Sequence, residues 1–169
     1  MPALDGKSVI NAGVAGETTS EMRRRFENDV LRLEPDTVII QAGINDLTAS
    51  VTRDITTPEL LQPRMFENLE YFISTLSAAG TQVVLTSIIP NKDLNPFRKL
   101  FWRPVLQQSV ADSNSQLRQL AEQHQAVWLD INHVFVDESN SVRADLYRNT
   151  LHINAVAYAK LNQIIEKLF

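Results

Sequence analysis

Cysteine is absent from the 169-residue chain. Without thiols, the protein has no disulfide framework, no thiolate nucleophile and no cysteine-ligated zinc or iron–sulfur site. Long apolar runs are also missing, since no stretch approaches the roughly 20 residues of a membrane-spanning helix. No secretory signal is visible. The compartment stays unknown, because many secreted proteins also lack cysteine.

An excess of positive charge is missing too. Lys and Arg number 16 against 20 Asp and Glu, for a formal net charge of −4. This balance argues against nucleic acid as a partner. The 44% hydrophobic and 21% charged content is typical of a globular protein, so we interpret residues 1–169 as a single domain.

Short β-branched runs alternate with longer segments of helical period along the chain. The pattern predicts strands at 7–13, 36–43, 82–90 and 126–131, and helices at 18–34, 63–79, 104–124 and from about Asn154 to the C-terminus. A polar loop is predicted at 45–57. The run at 36–43 is apolar throughout, as in a strand covered on both faces. Strands separated by helices indicate an α/β fold, a three-layer α/β/α sandwich with a parallel, flavodoxin-like sheet.

Ligands of such sheets bind beyond the carboxyl ends of the strands. The segments that follow the four predicted strands should therefore open onto one edge. They are "GVAGETT", "GINDL", "SIIPN" and the loop before His152.

The segment "NAGVAGETT" (11–19) places two glycines between a strand and a helix start. Thr18 and Glu21 have capping-box spacing. Exposed N–H groups at such a start can bind an anion, although a plain turn explains the glycines equally well. The spacing is not GxGxxG, so a dinucleotide site has little support.

The segment "AGIND" (42–46) ends an apolar strand with an amide and a carboxyl side chain. Asn45 could donate a hydrogen bond to a developing oxyanion, while Asp46 could stabilise the turn. The alternative for both is an Asx-type turn without a catalytic role.

His152, in "RNTLHINAVAY" (148–158), precedes the last helix. It could act as a general base near neutral pH, and the helix dipole favours its neutral, proton-accepting form. A structural polar residue at a helix start is the alternative. We interpret His124 and His133 as surface residues. No spacing of His, Asp and Glu indicates a metal site.

Together these segments resemble the SGNH hydrolases, also called the GDSL lipase/esterase family. The order and spacing of "VINAGVAGETT", "PDTVIIQAGINDL", "VVLTSIIP" and "LHINAVAY" are similar to that family's second to fifth blocks. The resemblance implies hydrolysis of small-molecule esters or acylated substrates, with no cofactor. It also implies that a serine attacks the acyl carbonyl, that Gly16 and Asn45 hold the oxyanion, and that His152 takes the serine proton.

The family's first block, which carries the nucleophilic serine, has no match in the sequence. "DGKS" (5–8) does not replace it, because Ser8 lies inside the first predicted strand rather than at its carboxyl end. The resemblance thus indicates that the family's first strand, central in its sheet, is absent from the sequence, whether by truncation, a misplaced start or real loss. The strands at 7–13 and 36–42 must then pair directly or leave backbone groups unpaired. We expect reduced stability and a homo-oligomer formed through exposed strand edges.

The triad acid also departs from the family's pattern. "NTLH" supplies Asn149 three residues before the histidine, where the family has aspartate, and Thr150 replaces a glycine. An amide can orient an imidazole but cannot stabilise imidazolium as a carboxylate does. Asp145 or Asp137 are alternative carboxylates.

Three functions therefore stay open. The first is a serine ester hydrolase. The second is a catalytically inactive relative that acts as a binding or interaction module. The third is a flavodoxin-like nucleotide or flavin binder, which "GVAGETT" supports poorly because it contains no lysine. The aromatic stretch at 95–104 either borders the substrate pocket or covers the core.

Overall fold

The computed structural model describes residues 8–52, 58–92, 103–139, 141–149 and 152–168. The strands are β1 (Thr37–Ile40), β2 (Gln82–Thr86) and β3 (Val127–Leu129), and the helices are α1 (Thr19–Asp29), α2 (Ile44–Thr52), α3 (Pro58–Ala78), α4 (Arg103–Gln123) and α5 (Ala155–Ile165). Short 3-10 turns lie at Leu31–Leu33, Asn132–Val134, Ala144–Leu146 and Glu166–Leu168. Most of the stretch at 95–104 lies outside the described residues.

The strands form a parallel sheet in the order β1-β2-β3. Thr37 of β1 is in register with Gln82 of β2, and Val84 of β2 with Val127 of β3. Each crossover between neighbouring strands contains a helix, as parallel pairing requires. The predicted α/β fold with a parallel sheet is confirmed.

Helices cover both faces of this sheet. Trp128 packs on the larger core cluster, which includes residues of α1, α3 and α4, whereas Leu129 packs on a second cluster that includes Ala157 and Leu161 of α5. Adjacent residues of a strand point to opposite faces. The two clusters therefore lie on opposite sides of the sheet, which gives the layered arrangement.

The first predicted strand does not form. Residues 8–14 have no regular secondary structure, so the strand prediction for 7–13 is wrong over those residues. Side chains bind two of its backbone groups instead: Arg25 donates to the Ala12 carbonyl at 2.7 Å, and the Gly13 N–H donates to Asn11 Oδ1 at 2.9 Å. Ser8 therefore does not lie inside a strand, contrary to the expectation.

The predicted loop at 45–57 is also wrong in its first half, which forms helix α2. This segment carries little apolar periodicity, and tertiary contacts stabilise its start. Leu47 is 1% exposed within the main core, and the neighbouring Asp46 is 3% exposed. Packing thus fixes a helix that the local pattern does not indicate.

Several helix boundaries agree with the sequence pattern. Glu21 accepts a hydrogen bond from the Thr18 N–H at 2.8 Å, as a capping box requires. Gly80 follows α3 with φ +81°, and Asn154 caps α5 by accepting from the Ala157 N–H at 3.1 Å. The predicted helix 18–34 is shorter, because α1 ends at Asp29 and a 3-10 turn follows.

Strand β1 is less completely covered on the face that carries Ile39. Val38 and Ile40 pack into the main core, but Ile39, on the other face, is 37% exposed. The expectation that this strand is covered on both faces is therefore wrong at Ile39. Among the described residues, β1 pairs with β2 alone. Association through strand edges stays a prediction.

No helix of the described residues is long and apolar enough to cross a membrane.

Gly43 connects β1 to α2 in a conformation that only glycine tolerates there. Its φ is +109°, and a Cβ at this position would lie 2.7 Å from Ile88 Cδ1 and 2.8 Å from Met65 Sδ. Both neighbours belong to the core. The glycine thus lets the start of α2 approach Ile88, just beyond β2, and Met65 of α3 closely.

We expect Gly43→Ala to destabilise the protein more than Gly80→Ala. Both positions have positive φ, but a Cβ at Gly80 meets nothing within 4 Å. Overpacking a core costs about 1–3 kcal/mol, and this loss should appear at Gly43 alone. Urea unfolding of the two variants measures the difference, and equal losses would contradict the proposed clash.

Candidate active site

The loop that precedes α1 carries Gly16, which is exposed and has φ +86°. In the part of the chain that the structure describes, the Gly16 N–H donates no hydrogen bond. A Cβ at this position would meet nothing within 4 Å. The Cβ side of Gly16 is therefore open, and its N–H is unbonded among the described residues.

Asn45 lies against the same loop. Its Nδ2 donates to the Glu17 carbonyl at 2.8 Å, and Glu17 follows Gly16 in sequence. An amide nitrogen carries two hydrogens, so one further donation stays possible. The structure thus brings together Gly16 and Asn45, the two residues selected for oxyanion binding.

Asp46 holds the beginning of α1. It is 3% exposed, and its carboxylate accepts from the Thr19 N–H at 3.1 Å and from the Thr19 hydroxyl at 2.7 Å. Burial raises the pKa of this carboxyl group, and the bonds from Thr19 oppose that rise. Asn68 extends the network by donating to Thr19 Oγ1 at 3.2 Å. Asp46 therefore stabilises the start of α1, directly after the Gly16 loop, and not only its own turn.

His152 and Asn149 form a pair at the exposed end of the chain's last loop. Asn149 Oδ1 lies 3.0 Å from His152 Nδ1 and also accepts from the His152 N–H at 2.9 Å. The Arg148 N–H donates to the His152 carbonyl at 2.8 Å. If Nδ1 carries the ring proton, Nε2 is left as the proton acceptor.

The alternative carboxylates have other partners. Asp145 accepts from Arg143 at 3.3 Å. Asp137 accepts from the Ser139 hydroxyl at 2.6 Å, and hydrogen bonds from Ser139 and Ser141 lower its pKa.

Of the other histidines, His133 is exposed, while His124 is partly buried with Nε2 3.3 Å from Glu70 Oε1.

The two halves of the candidate site lie at the carboxyl edge of the sheet. Gly43 and Asn45 follow β1, and Tyr147, at the base of the His152 loop, donates its hydroxyl to the Pro90 carbonyl beyond β2. Burial raises the pKa of Tyr147. Among described residues, no hydrogen bond joins the Gly16–Asn45 half to the Asn149–His152 half, and no serine hydroxyl bonds His152.

The polar residues that shape the ends of β2 and β3 were not selected from the sequence. Ser87 Oγ donates to Asp130 at 2.9 Å and accepts from the Ile131 N–H at 2.8 Å. Asn114 bonds both backbone groups of Ile88, at 2.7 and 3.0 Å. The "SIIPN" motif points to this edge, but nothing in the sequence pairs it with α4.

A cavity of about 270 Å³ lies beside α4 and β3, and Trp128, Asp130, Asn132 and Arg118 contribute to its walls. None of the selected site residues lines it. In the described part of the chain, no group of three or more His, Asp or Glu side chains could hold a metal ion.

Comparison with known proteins identifies relatives of this chain. The sequence profile of the GDSL-like lipase/acylhydrolase family matches residues 2–160. The "Uncharacterized lipoprotein YqeF" of Bacillus subtilis (strain 168) is 36% identical over 94 residues, which cover 56% of this chain and 37% of that protein. An acetylxylan esterase of Geobacillus stearothermophilus is 43% identical over 42 residues, 25% of this chain and 19% of that protein.

A solved structure gives the same fold. A GDSL-like lipase of Bacteroides thetaiotaomicron has a TM-score of 0.77 and 21% sequence identity, and the match covers 94% of this chain and 74% of that one. The chain thus spans most of this structural relative but well under half of the two curated relatives that it matches.

We expect the neutral His152 ring to carry its proton on Nδ1, because Asn149 Oδ1 is placed to accept it. Removing that acceptor in Asn149→Ala should shift the ring toward the Nε2–H tautomer. Ring nitrogen-15 chemical shifts distinguish the two tautomers. His133 provides the internal control, since its shifts should be equal in both proteins, and an unchanged His152 tautomer would contradict the assigned orientation.

Proposed function

The chain belongs to the GDSL-like lipase/acylhydrolase family, and on that premise we propose that it hydrolyses esters of small acylated molecules by a serine mechanism. One observation carries the proposal. The Asn45 amide of α2 is bonded to the carbonyl of the residue that follows Gly16, so a side-chain donor lies against the loop whose Gly16 N–H is unbonded among the described residues. An oxyanion hole consists of hydrogen-bond donors of these two kinds.

In the proposed reaction, a serine hydroxyl attacks the acyl carbonyl while His152 Nε2 takes its proton. The carbonyl electrons move to oxygen, and the Gly16 N–H and the Asn45 amide hold that oxyanion. When the tetrahedral intermediate collapses, His152 returns the proton to the leaving alcohol. Water then hydrolyses the acyl-enzyme by the same steps, with His152 again as base. Asn149 keeps the ring oriented throughout.

A second function, a non-catalytic binding module, is favoured by two features of the sequence. No Gly-Asp-Ser motif stands in the 169 residues, and the position of the triad acid holds Asn149. A binding module would keep the donors of Gly16 and Asn45 for an acidic or carbonyl ligand, with no requirement for a nucleophile.

Fluorophosphonate labelling separates the two functions. A fluorophosphonate phosphonylates an activated serine and releases fluoride, so intact-mass spectrometry of the natively expressed protein should show one adduct under the serine mechanism. The His152→Ala variant should lose the adduct, whereas His133→Ala should keep it. A natively expressed protein that stays unlabelled would support the binding module and overturn the serine mechanism.

Hydrolysis of p-nitrophenyl acetate tests the proposed general base, His152, and its partner Asn149. His152→Ala should lower kcat/KM by about 10²–10⁴-fold, the usual contribution of a general base. Asn149→Asp should raise it, because a carboxylate stabilises the imidazolium of the transition state; the reverse change in a serine protease costs about 10⁴-fold. His133→Ala is the matched control, and an unchanged rate in His152→Ala would refute the assignment of the base.

A further inference from the structure

Arg25 of α1 uses every nitrogen of its guanidinium to hold the Gly16 loop. Its Nε and Nη2 donate to the two carboxylate oxygens of Glu17, at 2.5–3.0 Å. Its Nη1 donates to the Ala12 carbonyl at 2.7 Å and to Asp29 at 3.0 Å. One side chain therefore fixes both ends of the segment from Ala12 to Glu17, and Gly16 lies inside that segment.

The environment of this ion pair differs from that of an ordinary surface pair. The side chains of Arg25 and Glu17 are only 22% and 19% exposed. The ion pair of Arg32 with Glu27, after the same helix, measures 3.5 Å with 67% and 71% exposed side chains. Fork-shaped, partly buried arginine–carboxylate pairs fix geometry, whereas exposed single contacts contribute little.

The backbone of Glu17 is also bound, by Asn45 of the candidate site. Its carboxylate binds Arg25, and its carbonyl accepts from the Asn45 amide at 2.8 Å. The spacing of the two proposed oxyanion donors, Gly16 N–H and Asn45 Nδ2, is thus set through one residue. A loop with glycines at 13 and 16 has much conformational freedom without such restraints.

We propose that Arg25 is a positioning residue, which sets the Gly16 N–H relative to the Asn45 amide through Glu17 and so preorganises the oxyanion site. The inference rests on the proposed function, since it assigns the purpose of the restraint to the two donors. Displacing a positioned group by about 1 Å can cost 10²-fold in rate. Arg25 itself is not required to touch the substrate.

Methylphosphonate, a tetrahedral anion, provides a probe that requires no nucleophile. Titrated into the nitrogen-15-labelled full chain, it should shift the Gly16 N–H and Asn45 Nδ2 resonances. In Arg25→Ala the affinity should fall about tenfold, which is within the usual range of coupling between two sites. The Gly16 heteronuclear NOE should fall as well. Arg24→Ala, an exposed neighbour on the same helix, is the matched control and should bind as the wild type does.

The conservative variant separates positioning from general stability. Arg25→Lys keeps the charge but cannot form the fork with Glu17, so its affinity for methylphosphonate should be intermediate. For ester hydrolysis by the natively expressed protein, Arg25→Ala should lower kcat with little change in KM. Urea unfolding of each variant records any loss of stability, and normal anion affinity with normal Gly16 order in folded Arg25→Ala would overturn the inference.

Failure of the proposed function has a different signature. If methylphosphonate leaves Gly16 and Asn45 unshifted in the wild type, the oxyanion site is refuted, and Arg25 loses the role proposed here even if the Gly16 NOE still depends on it. If the wild type binds the anion and Asn45→Ala does not, the oxyanion site holds. Equal binding by Arg25→Ala and Arg24→Ala would then refute the role of Arg25 alone.

Discussion

Two consecutive residues at the start of α2 determine how the chain enters α1. Asn45 donates to the Glu17 carbonyl, and Asp46 accepts from the backbone and the hydroxyl of Thr19. These bonds join segments 27 or 28 positions apart. Because Gly43 lets α2 begin close against Ile88 and Met65, the position of Asn45 depends on the core, and the Gly16 loop depends on Asn45.

The sheet is the part of the fold that the sequence predicts well. Its strands are short apolar runs bounded by polar or proline residues, and tertiary pairing reinforces that local preference. In both errors, side-chain contacts that the apolar pattern does not reveal decide the structure. Residues 8–14 look like a strand, but Arg25 binds the Ala12 carbonyl and Asn11 binds the Gly13 N–H. Residues 44–52 look like a loop, but buried Leu47 and Asp46 anchor a helix.

The candidate site divides in the same way. Gly16, Asn45, Asn149 and His152 could be selected because each lies in a short motif that ends a strand or precedes a helix. Arg25 could not, since "MRRRF" contains three arginines in a row and only the folded chain distinguishes the one that binds Glu17. Ser87 and Asn114 could not be selected from the sequence either. Their partners are backbone groups from distant parts of the sequence.

The two halves of the site consequently depend on the fold to different degrees. Asn149 contacts His152 across three positions, and the bridge between Tyr147 and Ile153 closes the same loop. The Asn149–His152 half is therefore a local structure. The Gly16–Asn45 half requires α1, α2 and the core that they pack on to be in place. Ile39 is exposed on β1, the strand that leads to Asn45, so a change that loosens β1 should disturb the Gly16–Asn45 half before the Asn149–His152 half.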